Sequence, residues 1–164
     1  MLKALQVLPV GAQVLPFVRQ FYGSPSRYLW IDDESKVHSI PQGEGGEQGD
    51  AMMPLLYALG QHAAVTSITS KLEDSEKIFA FLDNIYVVCK PHRVAIIFEM
   101  IRVELWDHAK IRINDGKTKV WNNGGITPAG IETLGDDVWR GSSTLPEPSW
   151  GLNILGLQSG KKPT

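Results

Sequence analysis

The chain has 164 residues, of which 43% are hydrophobic and 21% are charged, a composition typical of one soluble folded domain. Its formal net charge of −2 provides no strong positive field, so a highly basic nucleic-acid-binding protein is excluded. Because Cys89 is the one cysteine, an intramolecular disulfide and a multi-cysteine zinc site are excluded as well.

The apolar N-terminal stretch resembles a secretory signal only in part. Gln6, Pro9 and Gly11 interrupt its apolar run, and no small-residue cleavage site follows closely. No apolar run in the sequence approaches the roughly 18 residues that a membrane-spanning helix needs. We therefore expect an intracellular protein, nuclear or cytoplasmic, that has no membrane partner.

The first half of the chain predicts two helices separated by a hairpin and a glycine-rich loop. Leu15, Val18 and Phe21 recur at helical spacing, and Asp50 provides an N-cap for the second helix. The predicted ranges are 12–22 for the first helix, 27–31 and 36–40 for the strands, and 41–49 for the loop. The apolar face of the second helix is predicted to consist of Met52, Leu55, Leu56, Leu59, Ala63 and Ile68.

The second half predicts a hairpin, a helix, a pair of short strands and a last strand. These elements are predicted over 78–82 and 85–89, about 92–107, 111–113 and 119–121, and 152–157. Asp83 and Asn84 lie between the first two strands, where a two-residue turn fits. This order of elements predicts an α+β fold in which an antiparallel sheet packs against helices.

Asp83 is the clearest candidate for chemistry, because a charge at the tip of an apolar hairpin is costly unless it serves a ligand. The alternative is that Asp83 and Asn84 are only turn residues, since this pair suits a tight turn. The acidic pair Asp136 and Asp137 lies in a glycine-rich loop and is predicted to be solvated. The four histidines and Cys89 form no catalytic pattern.

Two phosphate-binding patterns are nearly present, and both are rejected. Gly116, Lys117 and Thr118 resemble the end of a P-loop, but Ile111 stands where its first glycine is required. The run 43–49 places its third glycine one position late for a dinucleotide fingerprint and carries two glutamates where a pyrophosphate would approach.

Several short motifs nevertheless follow one another in an order and spacing shared with one family. They are, in chain order, Gln48-Gly49-Asp50, Pro54 opening a helix, Phe81-Leu82-Asp83-Asn84 in a hairpin, Gly116-Lys117-Thr118, and Leu155-Gly156. Together they resemble the palm of a reverse transcriptase, an RNA-directed DNA polymerase, of the non-LTR retrotransposon type. The resemblance covers nearly the whole chain, with a palm segment over about 1–125 and an irregular segment over about 126–164.

The strongest motifs concern the nucleotide and the metal. Gln48, Gly49 and Asp50 resemble the B motif, which implies contacts to the template strand and the incoming nucleotide. The residue Asp83 occupies the first aspartate position of the aromatic-x-Asp-Asp C motif, which implies that it binds catalytic Mg²⁺. Asn84 stands where the family has a second aspartate.

The remaining motifs concern the triphosphate and the primer. Lys117 resembles the D-motif lysine, which lies near the triphosphate and protonates the pyrophosphate leaving group. Leu155 and Gly156 resemble the E motif, the primer grip. The resemblance therefore implies an RNA template, a DNA primer and a dNTP as partners, joined by nucleotidyl transfer with two Mg²⁺ ions.

The family has a further metal-binding aspartate in its A motif, before the helical region that precedes the B motif. No acidic residue lies between Met1 and Arg27, so we expect the A-motif strand and its aspartate to be missing from this chain. With Asn84 in place of the second aspartate, the resemblance implies a fragment without polymerase activity. The alternatives are a non-catalytic nucleic-acid-binding remnant and an unrelated α+β binding module.

Overall fold

The computed structural model describes residues 5–6, 11–42, 49–141, 151–155 and 157–159. Three α-helices of 12, 19 and 16 residues alternate with short strands in this part of the chain. The elements, in chain order, are α1 (Gly11–Tyr22), β1 (Arg27–Ile31), β2 (Val37–Pro41), α2 (Met53–Lys71), β3 (Lys77–Phe81), β4 (Asn84–Val88), α3 (Val94–Ala109), β5 (Leu152–Ile154) and β6 (Leu157–Ser159). None of the helices in these ranges combines the length and apolar character that a membrane crossing requires.

The six strands form three hairpins, and each hairpin is a separate two-stranded antiparallel sheet. The predicted α+β class with antiparallel pairing is therefore confirmed. The prediction of one shared sheet is wrong for the described residues, because no strand of one hairpin pairs with a strand of another. Each pairing joins neighbouring segments, so it closes a short loop at a small cost in chain entropy.

The chain divides into two compact units, Met1–Gly60 and Gln61–Thr164. In the first unit, Leu5, Val18 and Leu56 are fully buried in one apolar cluster. The predicted first helix and first hairpin are confirmed within one residue at each end.

The second unit has a core between α2 and α3. Its buried members repeat at helical spacing on each helix and are Ala64 and Ile68 of α2 and Ile97, Ile101 and Leu105 of α3. Partly buried apolar residues from the second hairpin and from the segment after α3 pack against this core, among them Ile78, Ile85, Val87, Ile111 and Ile113. One face of the second hairpin therefore packs against α2 and α3.

The buried face of α2 differs in part from the prediction. Leu56 and Ile68 are buried as predicted, whereas Leu55 is 49% exposed. Ala64 is buried in place of Ala63, which is exposed, because residues 56, 64 and 68 lie on one helical stripe.

The turn of the second hairpin was predicted one residue too late. Asn84 pairs with Phe81, so the two-residue loop consists of Leu82 and Asp83. This register directs Ile85 and Val87 toward the core, and a shift by one residue would turn them away from it.

The strand pair predicted over 111–113 and 119–121 is wrong. Ile111 and Ile113 pack against the core, and a short 3-10 helix, Asp115–Lys117, follows them. Val120 instead forms an isolated parallel bridge with Trp139. The strand predicted over 152–157 is replaced by the short hairpin of β5 and β6.

Candidate functional site

The second hairpin presents Asp83 at its tip. Leu82, the first residue of the loop, has a φ of 52°, a left-handed backbone that is unusual outside glycine. Asp83 is exposed, and its Oδ1 accepts a 3.4 Å hydrogen bond from the Asn84 side-chain amide. The structure therefore brings Asp83 and Asn84 together and leaves the carboxylate accessible from solvent.

Gln61 of α2 stabilises the loop that carries Asp83. The Gln61 Nε2 donates a 3.0 Å hydrogen bond to the backbone carbonyl of Leu82, and Gln61 is only 4% exposed. A buried amide needs such a partner, and the backbone carbonyl of the turn supplies it. No motif of the sequence points to Gln61; the signal is an amide on the stripe of α2 that otherwise carries apolar residues.

The outward face of the second hairpin is aromatic. Phe79 and Phe81 of β3 alternate with the inward-facing residues and are 58% and 53% exposed. Tyr86 lies opposite Phe79 in the pairing register, and Val88 of the same strand is 59% exposed. Asp83 therefore lies at the end of an apolar, accessible strip of the hairpin.

Gly49 and Asp50 of the B motif lie in the first unit, where Asp50 is held by hydrogen bonds to neighbouring residues. Gly49 has a φ of 95°, which its missing side chain permits, and Gln48 lies outside the described residues. Asp50 Oδ1 accepts a 2.9 Å hydrogen bond from the Met52 amide, so Asp50 fixes the turn that leads into α2, which begins at Met53, three residues after the predicted N-cap. Its Oδ2 accepts a 2.5 Å hydrogen bond from the Tyr22 hydroxyl.

The hydrogen bond between Tyr22 and Asp50 shifts the pKa values of the two groups in opposite directions. The hydroxyl of Tyr22 lowers the pKa of Asp50, and the Met52 amide lowers it further. The same hydrogen bond, together with desolvation and the Asp50 charge, raises the pKa of Tyr22 to about 12. Both carboxylate oxygens of Asp50 thus have partners inside the first unit.

Lys117 lies at the end of the 3-10 helix Asp115–Lys117, where its side chain is exposed. Its backbone amide donates a 3.0 Å hydrogen bond to the carbonyl of Asn114, which fixes the short turn. Among the described residues, no carboxylate forms an ion pair with the Lys117 ammonium. The ammonium is therefore accessible to an anion such as a phosphate.

A neighbouring ion cluster holds the loop after this turn. Arg140 contacts both carboxylate oxygens of Asp137, at 3.0 and 2.6 Å, and the Lys119 ammonium donates to the Asp137 carbonyl at 2.7 Å. Arg140 and then Lys119 lower the pKa of Asp137. Asp136 and Asp137 are exposed, as predicted, and Asp137 in addition joins residues 119 and 140.

The primer-grip resemblance falls on the loop of the third hairpin. Leu155 follows β5, has a φ of 50° and is 56% exposed, and Gly156 lies outside the described residues. Leu155 therefore offers an accessible apolar side chain next to a tight turn.

The donor set at Asp83 fits Mg²⁺ only in part. Magnesium binds one or two carboxylates and fills its other positions with water and substrate phosphates. Asp83 supplies one carboxylate and Asn84 a neutral amide. In the part of the chain that the structure describes, no group of three or more His, Cys, Asp or Glu residues is arranged to hold a metal ion.

Comparison with known proteins adds no relative. No protein-family model, no curated protein and no solved structure matches the chain. The likeness to reverse transcriptases therefore depends on the motifs of this sequence.

Proposed function

We propose that the chain is a palm segment of a retrotransposon reverse transcriptase that binds a nucleotide and nucleic acid but does not catalyse polymerisation by itself. The observation that carries the proposal is the tip of the second hairpin. There an exposed Asp83 follows an apolar strand in a two-residue loop that α2 supports through Gln61. A C-motif aspartate needs this combination of rigid backbone and open carboxylate.

The metal chemistry of this tip explains the proposed inactivity. Nucleotidyl transfer uses two divalent ions about 3.5–4 Å apart to stabilise the attacking and leaving oxygens. Asp83 would hold one ion together with phosphate oxygens of a dNTP. Asn84 adds no negative charge, and its amide donates to Asp83, so a second ion lacks an anionic ligand at this position.

Lys117 extends the proposal to the triphosphate. Its ammonium is exposed on a turn fixed by backbone hydrogen bonds, and neighbouring Lys119 is occupied by Asp137. A lysine ammonium binds phosphate as a compact point charge. In the proposed function Lys117 contacts the triphosphate of the nucleotide that Asp83 binds through Mg²⁺.

Primer extension and nucleotide binding test the proposal together. The purified chain, given an RNA template, a DNA primer, dNTPs and Mg²⁺ or Mn²⁺, is expected to add no nucleotides, and robust incorporation would refute the inactivity. Binding of a fluorescent dNTP is expected to depend on Mn²⁺ and to be lost in D83N. The matched control is D74N, which removes an exposed carboxylate from another turn of the same unit.

A gain-of-function variant makes the test sharper. N84D restores the acidic pair of the C motif, and the added charge is expected to tighten Mn²⁺-dependent dNTP binding about tenfold. Unchanged binding in both D83N and N84D would show that the tip is not a metal site.

One observation favours the second candidate, an unrelated α+β binding module. Both oxygens of Asp50, the acidic residue of the B motif, have partners inside the first unit, which gives Asp50 a purely structural use. In that case Asp83 is only a turn residue. The two candidates differ in the Mn²⁺ dependence of dNTP binding, which the binding module lacks.

A further inference from the structure

The last turn of α3 carries an exposed indole flanked by two cations. Trp106 is 42% exposed. The Lys110 Nζ lies 5.2 Å from the centroid of the Trp106 ring, and the Arg112 Cζ lies 5.0 Å from it. These distances are those of cation–π contacts. None of the three residues belongs to the motifs that support the proposed function.

The backbone explains why both cations reach the same indole. Lys110 ends α3 in a left-handed conformation with a φ of 57°, and its amide donates to carbonyls of the last turn. Ile111 and Ile113 then pack against the core of the second unit. Arg112 lies between these two anchors and is exposed, so it is presented on the same outer side as Trp106.

The charges of this cluster are available. Arg102, one turn earlier in α3, is paired with Glu99 at 2.6 Å, and Lys119 is held by Asp137. Among the described residues, neither Lys110 nor Arg112 forms an ion pair with a carboxylate. Both side chains contact the indole, which holds their charges in place without neutralising them.

We infer that Trp106, Lys110 and Arg112 form a binding site for single-stranded nucleic acid. A single strand suits this arrangement, since a base can take the place of a cation over the exposed ring and stack on it while the displaced cation meets an adjacent phosphate. An acidic peptide would use the cations and leave the indole without a role. The site lies outside the nucleotide site proposed at Asp83, so it is tested separately.

Fluorescence anisotropy with a labelled oligodeoxythymidine of about 16 nucleotides tests the stacking contact. W106A is expected to weaken binding about tenfold, the loss typical of one base–aromatic stack. W106F retains a ring and is expected to retain most of the affinity. W30A, which removes an exposed tryptophan from the first hairpin, is the matched control and is expected to bind like the unmodified chain.

The salt dependence tests the phosphate contacts. The double variant K110Q/R112Q is expected to lower the slope of log K against log salt by about 1.4, because each single-strand phosphate contact contributes about 0.7. K36Q/K77Q removes the same charge from exposed positions elsewhere and is expected to leave the slope unchanged.

Several outcomes would overturn this inference. They are no measurable oligonucleotide binding by the unmodified chain, equal binding by W106A and W30A, or an unchanged slope in K110Q/R112Q. A loss in W106A of binding to phosphatidylserine vesicles, with oligonucleotide binding intact, would assign the cluster to a membrane surface instead. Oligonucleotide binding is measured without a divalent cation, whereas the dNTP test at Asp83 requires Mn²⁺, so failure at Asp83 and failure at Trp106 are distinguishable.

Discussion

The first two hairpins have strands of equal length and an aspartate in each turn, yet they use that aspartate in opposite ways. In the first hairpin, Asp32 accepts hydrogen bonds from the amides of Glu34 and Lys36, at 3.1 and 2.9 Å, and lies 2.6 Å from the His38 ring nitrogen. In the second hairpin, the Asp83 carboxylate accepts a 3.4 Å hydrogen bond from the side-chain amide of Asn84, the next residue in the chain.

The difference follows from what supports each hairpin. The residues of β1 are all exposed, so its turn must be stabilised by its own side chains, and Asp32 does this. The second hairpin packs one face against α2 and α3, and Gln61 binds the turn carbonyl. The contacts that hold its turn therefore come from Gln61 and from the packed face rather than from the aspartate. A turn acid that the fold does not use is a better candidate for ligand binding than one that the fold does.

The largest expected effect comes from removing the anchor of the second hairpin. The Glu76 carboxylate is fully buried just before β3 and is bound by Arg93 at 3.0 and 3.2 Å. R93A leaves this buried charge without its cationic partner, with the Glu73 amide still donating to it at 2.9 Å, and is expected to lower the Tm by about 10 °C. K90A, which removes the exposed partner of Glu73, is expected to lower it by about 2 °C at most. Similar melting curves for the two variants would show that the buried pair is not the anchor.

A smaller loss of stability is expected when the hydrogen bond from Gln61 to the turn is removed. Q61A leaves the Leu82 carbonyl without its donor and is expected to cost about 1–3 kcal/mol in urea unfolding. Amide exchange at the tip of the second hairpin should rise as well. The neighbouring H62A, at an exposed position of α2, is the control. If the two variants unfold alike, the hydrogen bond to Leu82 contributes little.

Acidification should loosen the first hairpin more than the second, because Asp32 stabilises its turn and Asp83 does not. Hydrogen bonds to His38 and to the backbone amide of Lys36 lower the pKa of Asp32 from its ordinary value of 3.8. The folded pKa lies below the unfolded one, so this stabilisation is complete above about pH 4 and is lost as the pH falls further. The NMR signal of the Trp30 indole, which contacts His38, should report loosening on acidification. D32N should remove this pH response, and persistence of the response in D32N would assign it to another group.

The alkaline response tests the first unit. Because the pKa of Tyr22 is raised to about 12, the Tyr22–Asp50 bond stabilises the fold fully below pH 10 and is lost between pH 10 and 12. Tyrosinate absorbance should show one late-ionising tyrosine that Y22F lacks. If Y22F instead lacks a tyrosine that ionises near pH 10, Tyr22 ionises like an exposed tyrosine and the bond to Asp50 does not hold its proton.

The smallest effect on stability is expected at Asp83. D83N removes a charge whose carboxylate the turn does not depend on, so the Tm should change by less than about 2 °C. Mn²⁺-dependent dNTP binding should nevertheless be lost. A strongly lowered Tm would show that Asp83 stabilises its turn, as Asp32 does in the first hairpin.

Local patterns predicted the elements that are stabilised locally. The three helices and the first two hairpins follow from apolar spacing, from Asp50 in the turn before α2 and from short turns. The turn at Leu82 was misplaced because the favourable pair Asp83-Asn84 competes with burial of Ile85 and Val87, and tertiary packing decides the register.

Long-range partners were not predictable from local patterns. Val120 bonds to a segment near residue 139, so the predicted partner strand over 111–113 was wrong. The ion cluster of Lys119, Asp137 and Arg140 depends on the same approach of distant segments. At the candidate site, the motif residues were predictable, whereas the support from Gln61 required the positions of α2 and the turn together.

The hydrogen bond from Gln61 to the Leu82 carbonyl also affects how such a sequence would change over generations. The shape of the hairpin tip is encoded in an amide of α2 and in the apolar inner face of the strands, whereas the acid that the tip displays is encoded separately. Selection for folding alone would preserve the former and leave Asp83 free to drift. Retention of an acid at position 83 among descendants of this sequence would therefore record selection for binding rather than for structure.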